Sequence, residues 1–190
     1  MRVEHTARNL GAEGNWNRVL ELATGPYVKL LCSDDMLAAD GVRLVGFATG
    51  LGAAAAGTYN SNYTNAANAL ANFRPQDPFI FVRVGWEFNC CFPWKVDSTA
   101  DEADFRAAFQ NLVNQFRAVS PRFRFEWNFI FGNRDPWPSY PGDNYVDIVS
   151  LDVYDGRDSG NGITDPQLRW EFYRDHSWGL DALAAFGIAH

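Results

Sequence analysis

The stretch Phe79-Ile80-Phe81-Val82-Arg83-Val84-Gly85-Trp86-Glu87-Phe88-Asn89, followed closely by Phe92-Pro93-Trp94, decides how the rest of the chain is read. It begins as an apolar run, the composition of a strand buried on both faces of a parallel sheet. It ends with a carboxylate, an amide and several aromatic rings in a few positions. Side chains alternate along a strand, which predicts Arg83, Gly85 and Glu87 on one face and Val82, Val84 and Trp86 on the other. In an α/β barrel, functional residues sit where strands end at the C-terminal face. An acid ringed by aromatics at such a place suggests sugar chemistry, although Glu87 also reads as a strand-end carboxylate paired with Arg83.

On the C-terminal side, Thr99-Ala100-Asp101-Glu102 spells a capping box at a helix start. Phe105, Ala108, Phe109, Leu112, Val113, Phe116 and Val119 then form an apolar stripe at helical spacing, and Ser120-Pro121 ends it. Residues 122–130 read as the next strand, in which Glu126 is expected to be salt-bridged. A loop over 132–144 leads into a strand over 145–151 that ends in Asp152-Val153-Tyr154-Asp155. Asp152 and Tyr154 share a face, and Asp152 reads equally as a buried structural carboxylate or a catalytic one. A Gly/Asn/Asp-rich loop over 156–162 and a helix over 180–188 follow. On the N-terminal side, 43–48 reads as a strand and 51–57 as loop or short helix. Thr64 is expected to cap a helix over 65–72, and 73–78 breaks it.

The spelling RVGWEFNxxFPW resembles the acid/base strand of glycoside hydrolase family 26, the β-mannanase family of (β/α)8-barrel enzymes. Arg83, Trp86, Glu87, Phe88, Asn89 and Trp94 match its pattern, whereas Cys90 stands where glycine is usual. The pair Trp127-Asn128 matches the end of the family's next strand, and Tyr140 to Ile148 matches its "YPGDxYVDI". The resemblance implies an α/β fold in which residues 44–190 form the middle βα units of a partial TIM-type barrel. It implies a retaining glycosidase acting on a β-linked polysaccharide of mannan or glucan type, with Glu87 as general acid/base and Tyr154 beside it in the site. Arg83, Trp86, Asn89, Trp94, Trp127, Asn128 and Asp152 are the substrate-binding residues it implies. A retaining enzyme needs a second carboxyl group as nucleophile. The family's glutamate for that role has no match here: Glu102, Glu126 and Glu171 lie on the wrong elements. The chain is therefore expected to be an incomplete barrel, inactive alone.

Residues 1–43 read differently. Trp16, Val19, Leu20 and Ala23 recur at helical spacing, Gly25-Pro26 is expected to stop that helix, and residues 27–32 read as a short buried strand ending in Ser33-Asp34-Asp35. The segment resembles an internal piece of family 2 glycosyltransferases, whose paired aspartates help hold a metal and a sugar nucleotide; in isolation Asp34 and Asp35 also read as a turn cap. This makes an N-terminal helix–strand fragment of separate origin, and a sugar-nucleotide-binding transferase fragment the alternative function. A non-catalytic carbohydrate binder using Trp86, Trp94, Trp127 and Trp137 is a further one.

The 190 residues are 47% hydrophobic and 15% aromatic, which suits one domain with a large core as well as it suits sugar stacking. A formal charge of −7 argues against a nucleic-acid partner. No apolar run reaches membrane-spanning length and no signal-peptide pattern opens the chain, so no compartment is assigned. Cys32, Cys90 and Cys91 make neither a disulfide framework nor, without nearby histidines, a metal site; adjacent Cys90 and Cys91 are expected as thiols. His176 and His190 have no partners at ligand spacing. No cofactor is expected in the hydrolase part.

Overall fold

The computed structural model describes residues 43–47, 50–73, 75–132, 134–154 and 162–190. Four parallel strands form one sheet: β1 (Arg43–Val45), β2 (Ile80–Val84), β3 (Phe123–Ile130) and β4 (Ile148–Asp152). Helices α1 (Leu51–Ala55) and α2 (Asn60–Phe73) join β1 to β2, and α3 (Thr99–Val119) joins β2 to β3. The crossover from β3 to β4 has no α-helix, only a 3-10 turn at Trp137–Ser139. Helices α4 (Pro166–Asp175) and α5 (Leu180–Ala189) follow β4. The fold is mixed α/β with a parallel sheet. Strand order follows chain order, β1-β2-β3-β4, without the reversal that marks a doubly wound sheet. A closed barrel is not present among the described residues.

Alternation along the strands sorts the sheet into two unlike faces. Ile80, Val82 and Val84 of β2 and Phe123, Phe125, Trp127 and Phe129 of β3 belong to the buried core. The apolar stripe of α3 packs on that side, with Phe116 meeting Phe123 at 5.0 Å and Phe125 at 6.0 Å between ring centroids. The opposite face carries Phe81, Arg83, Arg124, Glu126 and Asn128, a mostly polar set, and Phe81 there is 37% exposed. The apolar side holds the sheet to its helices; the polar side is where chemistry can be built.

Several boundaries differ from the sequence expectation for identifiable reasons. Helix α2 starts at Asn60, not beyond Thr64, because Thr64 is absorbed into it: its hydroxyl donates back to the Asn60 carbonyl at 3.0 Å. The capping box of α3 is shifted by one residue. Ser98 is the cap and its Oγ accepts from Asp101 N, while the Asp101 carboxylate accepts from Ser98 N at 2.8 Å. Strand β2 ends at Val84, three residues before Glu87, because Gly85 takes φ 52° and turns the chain. Residues 166–175 form a full helix capped by Asp165. The N-terminal fragment with Cys32, Asp34 and Asp35, and residues 155–161, lie outside the described residues.

Candidate active site

The site grows from the turn after β2. Gly85 at φ 52° is required there by packing as well as by conformation: a Cβ would lie 2.5 Å from the Phe47 ring. Two residues on, Glu87 has φ 47°, the one non-glycine residue with positive φ among those described. Such a backbone costs of order 1–3 kcal/mol and persists where surrounding contacts over-determine it. Those contacts are visible. Asn128, at the end of β3, accepts from Glu87 N at 3.2 Å through Oδ1 and donates to Ser150 Oγ at 2.9 Å. Asn89 binds both polar groups of Ile130, accepting from its N–H at 3.0 Å and donating to its carbonyl at 2.9 Å. Trp94 Nε1 donates to the Trp86 carbonyl at 3.0 Å, and Val96 N donates to the Phe88 carbonyl at 2.8 Å.

Because two left-handed residues replace extended backbone, simple alternation no longer places the side chain of Glu87, which meets the end of β4. Tyr154 donates its hydroxyl to Glu87 Oε1 at 3.0 Å, and Glu87 and Asp152 share a hydrogen bond. Tyr173 of α4 reaches the Tyr154 carbonyl at 3.4 Å. Beneath them Arg83 sits between two acids, with Nη2 2.7 Å from Glu126 Oε1 and Nη1 3.4 Å from Asp152 Oδ2. Arg83 thus pairs with Glu126 and Asp152, not with Glu87 as the strand-end reading had it. All four charged groups are almost wholly buried.

Burial, above all, pushes the Glu87 carboxyl above the usual carboxylate range. Tyr154 opposes this by hydrogen-bonding the ionised form, while the charge and hydrogen bond of Asp152 add to it. Asp152 is likewise raised, first by burial, against the pull of Arg83. Its hydrogen bond with Glu87 favours the ionised form of Asp152 and the protonated form of Glu87. Both carboxyls therefore favour protonation over their ordinary values, and the pair holds a proton more tightly than a free carboxylate would. A buried carboxyl whose pKa is raised, held at the C-terminal end of parallel strands, is a group able to act as a general acid.

The remaining expected residues separate. Trp86 is half-buried and packs edge-on against Phe92 at 5.1 Å and Trp94 at 4.7 Å. Trp94 is buried, stacked on Phe92 at 5.0 Å and pressed on the backbone just after β1, where a Cβ on Gly46 would lie 2.4 Å from its ring. Trp127 is 0% exposed and packs on the helix-covered face against Phe88, Phe129 and Trp137. Neither indole offers an open face to a sugar. For Trp127 the cause is strand parity, which sends it away from Glu126 and Asn128. Asn89 clamps the loop to β3, so it supports Glu87 through the backbone. Cys90 and Cys91, expected as thiols, are joined to one another in a disulfide where the turn folds back, Cys90 N donating to the Glu87 carbonyl at 3.0 Å.

Sequence reasoning missed Ser150 and Tyr173. Ser150 lies two residues before Asp152 on the same face of β4, a signal that was available; Tyr173 acts from a helix that no periodicity announced. Among the described residues no cluster of three or more His, Cys, Asp or Glu could hold a metal ion, and no helix is long and apolar enough to cross a membrane.

No family model and no curated protein matches the chain. Among solved structures, it is similar in part to the YdhT protein of Bacillus subtilis (20% identity, TM-score 0.46). It is similar to the B. subtilis mannanase BCman and the B. subtilis mannanase man26, each at 20% identity, with TM-scores of 0.46 and 0.45. Each superposition covers 50% of this chain and 31% of the other. The chain thus spans less than a third of the length of the structures it matches.

Proposed function

We propose that residues 44–190 carry the proton-donating part of a retaining glycosidase of the β-mannanase type, on an arc of a (β/α)8 barrel. Glu87 gives its proton to the departing glycosidic oxygen, Tyr154 and Asp152 orient its carboxyl group, and Trp86 borders the sugar. The observation that carries this reading is the buried Glu87 carboxyl, held by Tyr154 at 3.0 Å and hydrogen-bonded to Asp152, at the C-terminal end of a parallel sheet. The RVGWEFNxxFPW resemblance supports it independently and supplies the substrate class, a β-linked mannan or glucan.

A retaining pair stands about 5–5.5 Å apart, leaving room for the anomeric carbon between the carboxyl groups. Asp152 is hydrogen-bonded to Glu87, too close for that role. The attacking carboxylate is then not Asp152, and among the described residues this constellation offers no other for the covalent step. The 190-residue chain should bind manno- or gluco-oligosaccharides yet release reducing ends from mannan at less than roughly a thousandth of an ordinary glycosidase rate. Titrating mannotetraose and cellotetraose into isotope-labelled chain, alongside a reducing-sugar assay, tests both halves. Shifts centred on Trp86, Glu87 and Tyr154 are expected. Binding of neither oligosaccharide overturns the proposal, and ordinary turnover overturns the view of the missing nucleophile.

A further inference from the structure

The strongest ion pair of the site does not involve Glu87. Register sets Arg83 and Glu126 directly opposite on β2 and β3, and the short 2.7 Å contact joins them. The other arm of the guanidinium reaches Asp152 only at 3.4–3.5 Å. Glu126 is 2% exposed, so this pair is desolvated and the Arg83 charge is largely committed to it. Among the described residues Glu126 Oε2 and Arg83 Nε are buried without hydrogen-bond partners. A carboxylate kept only to stabilise the sheet would be expected to satisfy both oxygens.

The groups facing Glu87 are Tyr154 and Asp152 from the end of β4 and Arg83 from β2, with Glu126 of β3 behind Arg83. Three buried carboxyl groups therefore surround one guanidinium. Were all three ionised, two buried negative charges would stand uncompensated, so at least one proton must stay. Glu126 has the close contact to Arg83, and Asp152 has the second arm. Glu87 takes its hydrogen bonds from a phenol and the neighbouring carboxyl, and feels the Arg83 charge without a direct contact. We propose that Glu126 is a positioning residue for the Glu87 proton: by occupying Arg83 it denies the Glu87–Asp152 pair a full counter-charge and so keeps that proton on Glu87. This rests on the reading of Glu87 as the proton donor.

Carbon-detected NMR titration of the glutamate side chains in the full chain tests it, with the Glu87 signal assigned by its loss in Glu87→Gln. In Glu126→Gln the freed guanidinium turns to the pair, and the Glu87 midpoint should fall by about one pH unit, the low end of what a nearby opposite charge does. Glu126→Asp, which keeps the charge, should hold the midpoint near that of the wild type. An unchanged midpoint in a folded Glu126→Gln overturns the role of Glu126. A Glu87 midpoint in the ordinary glutamate range in the wild type instead overturns the proton-donor reading itself. Should Glu126→Gln not fold, Glu126→Met replaces it; failure of both while Glu126→Asp folds also overturns the proposal, since Glu126 would then be structural.

Discussion

Residues 85 to 89 show how much of the site is made by single positions. Gly85→Ala forces a left-handed backbone on a residue with a Cβ and drives that carbon into Phe47. We expect a loss of about 2–4 kcal/mol in denaturant midpoints, from strain and overpacking together. The carboxyl pair makes a second expectation. Glu87 and Asp152 both have folded-state pKa values raised by burial, so each binds protons more tightly folded than unfolded. Their stabilising contribution is complete below the unfolded carboxylate values near 4 and is lost as pH rises through the raised folded ones. Glu87→Gln removes one of these groups, so thermal scans from about pH 4.5 to 8 should show a flatter decline than in the wild type. An unchanged slope would mean that Glu87 titrates alike in both states.

Elements explain where the sequence could be read and where it could not. The apolar stripe of α3 was legible because seven residues recur at one spacing, and the helix buries six of them, leaving only Val119 at its end half-buried. Glu87 and Tyr154 were legible as residues at the ends of parallel strands. The parity of β3 separates two residues that the resemblance joins: Trp127 and Asn128 are strand neighbours facing opposite ways, and of the two it is Asn128 that contacts Glu87. The left-handed turn at Gly85 and Glu87 was hidden because an apolar run ending in Trp-Glu-Phe reads as continuing strand, and only packing against Phe47 forces the chain to leave it. Pairing the adjacent cysteines likewise depends on the fold of that turn. The cap of α3 slipped by one because Ser98 and Thr99 are both competent caps, and the aspartate at the third helical position selects Ser98. Ser98→Ala should therefore cost about 1 kcal/mol, whereas Thr99→Ala should be nearly neutral, as measured by thermal or urea unfolding.

At the scale of the whole molecule, the sheet has two edges, since no described strand pairs with the outer side of β1 or β4. Unpaired strand edges are templates for further pairing, and Phe79, half exposed at the start of β2, adds apolar surface. Concentration-dependent self-association is expected in sizing experiments at neutral pH; a monomer that melts cooperatively at all concentrations would contradict it. The Glu87 backbone has a consequence for how such a protein would drift under laboratory evolution. A screen that rewards heat resistance alone should repeatedly recover glycine or asparagine at position 87, because both accept its left-handed geometry at little cost. Winners of that screen would be sturdier and chemically mute, and their recurrence would mark the acid as kept for its reactivity at the expense of durability.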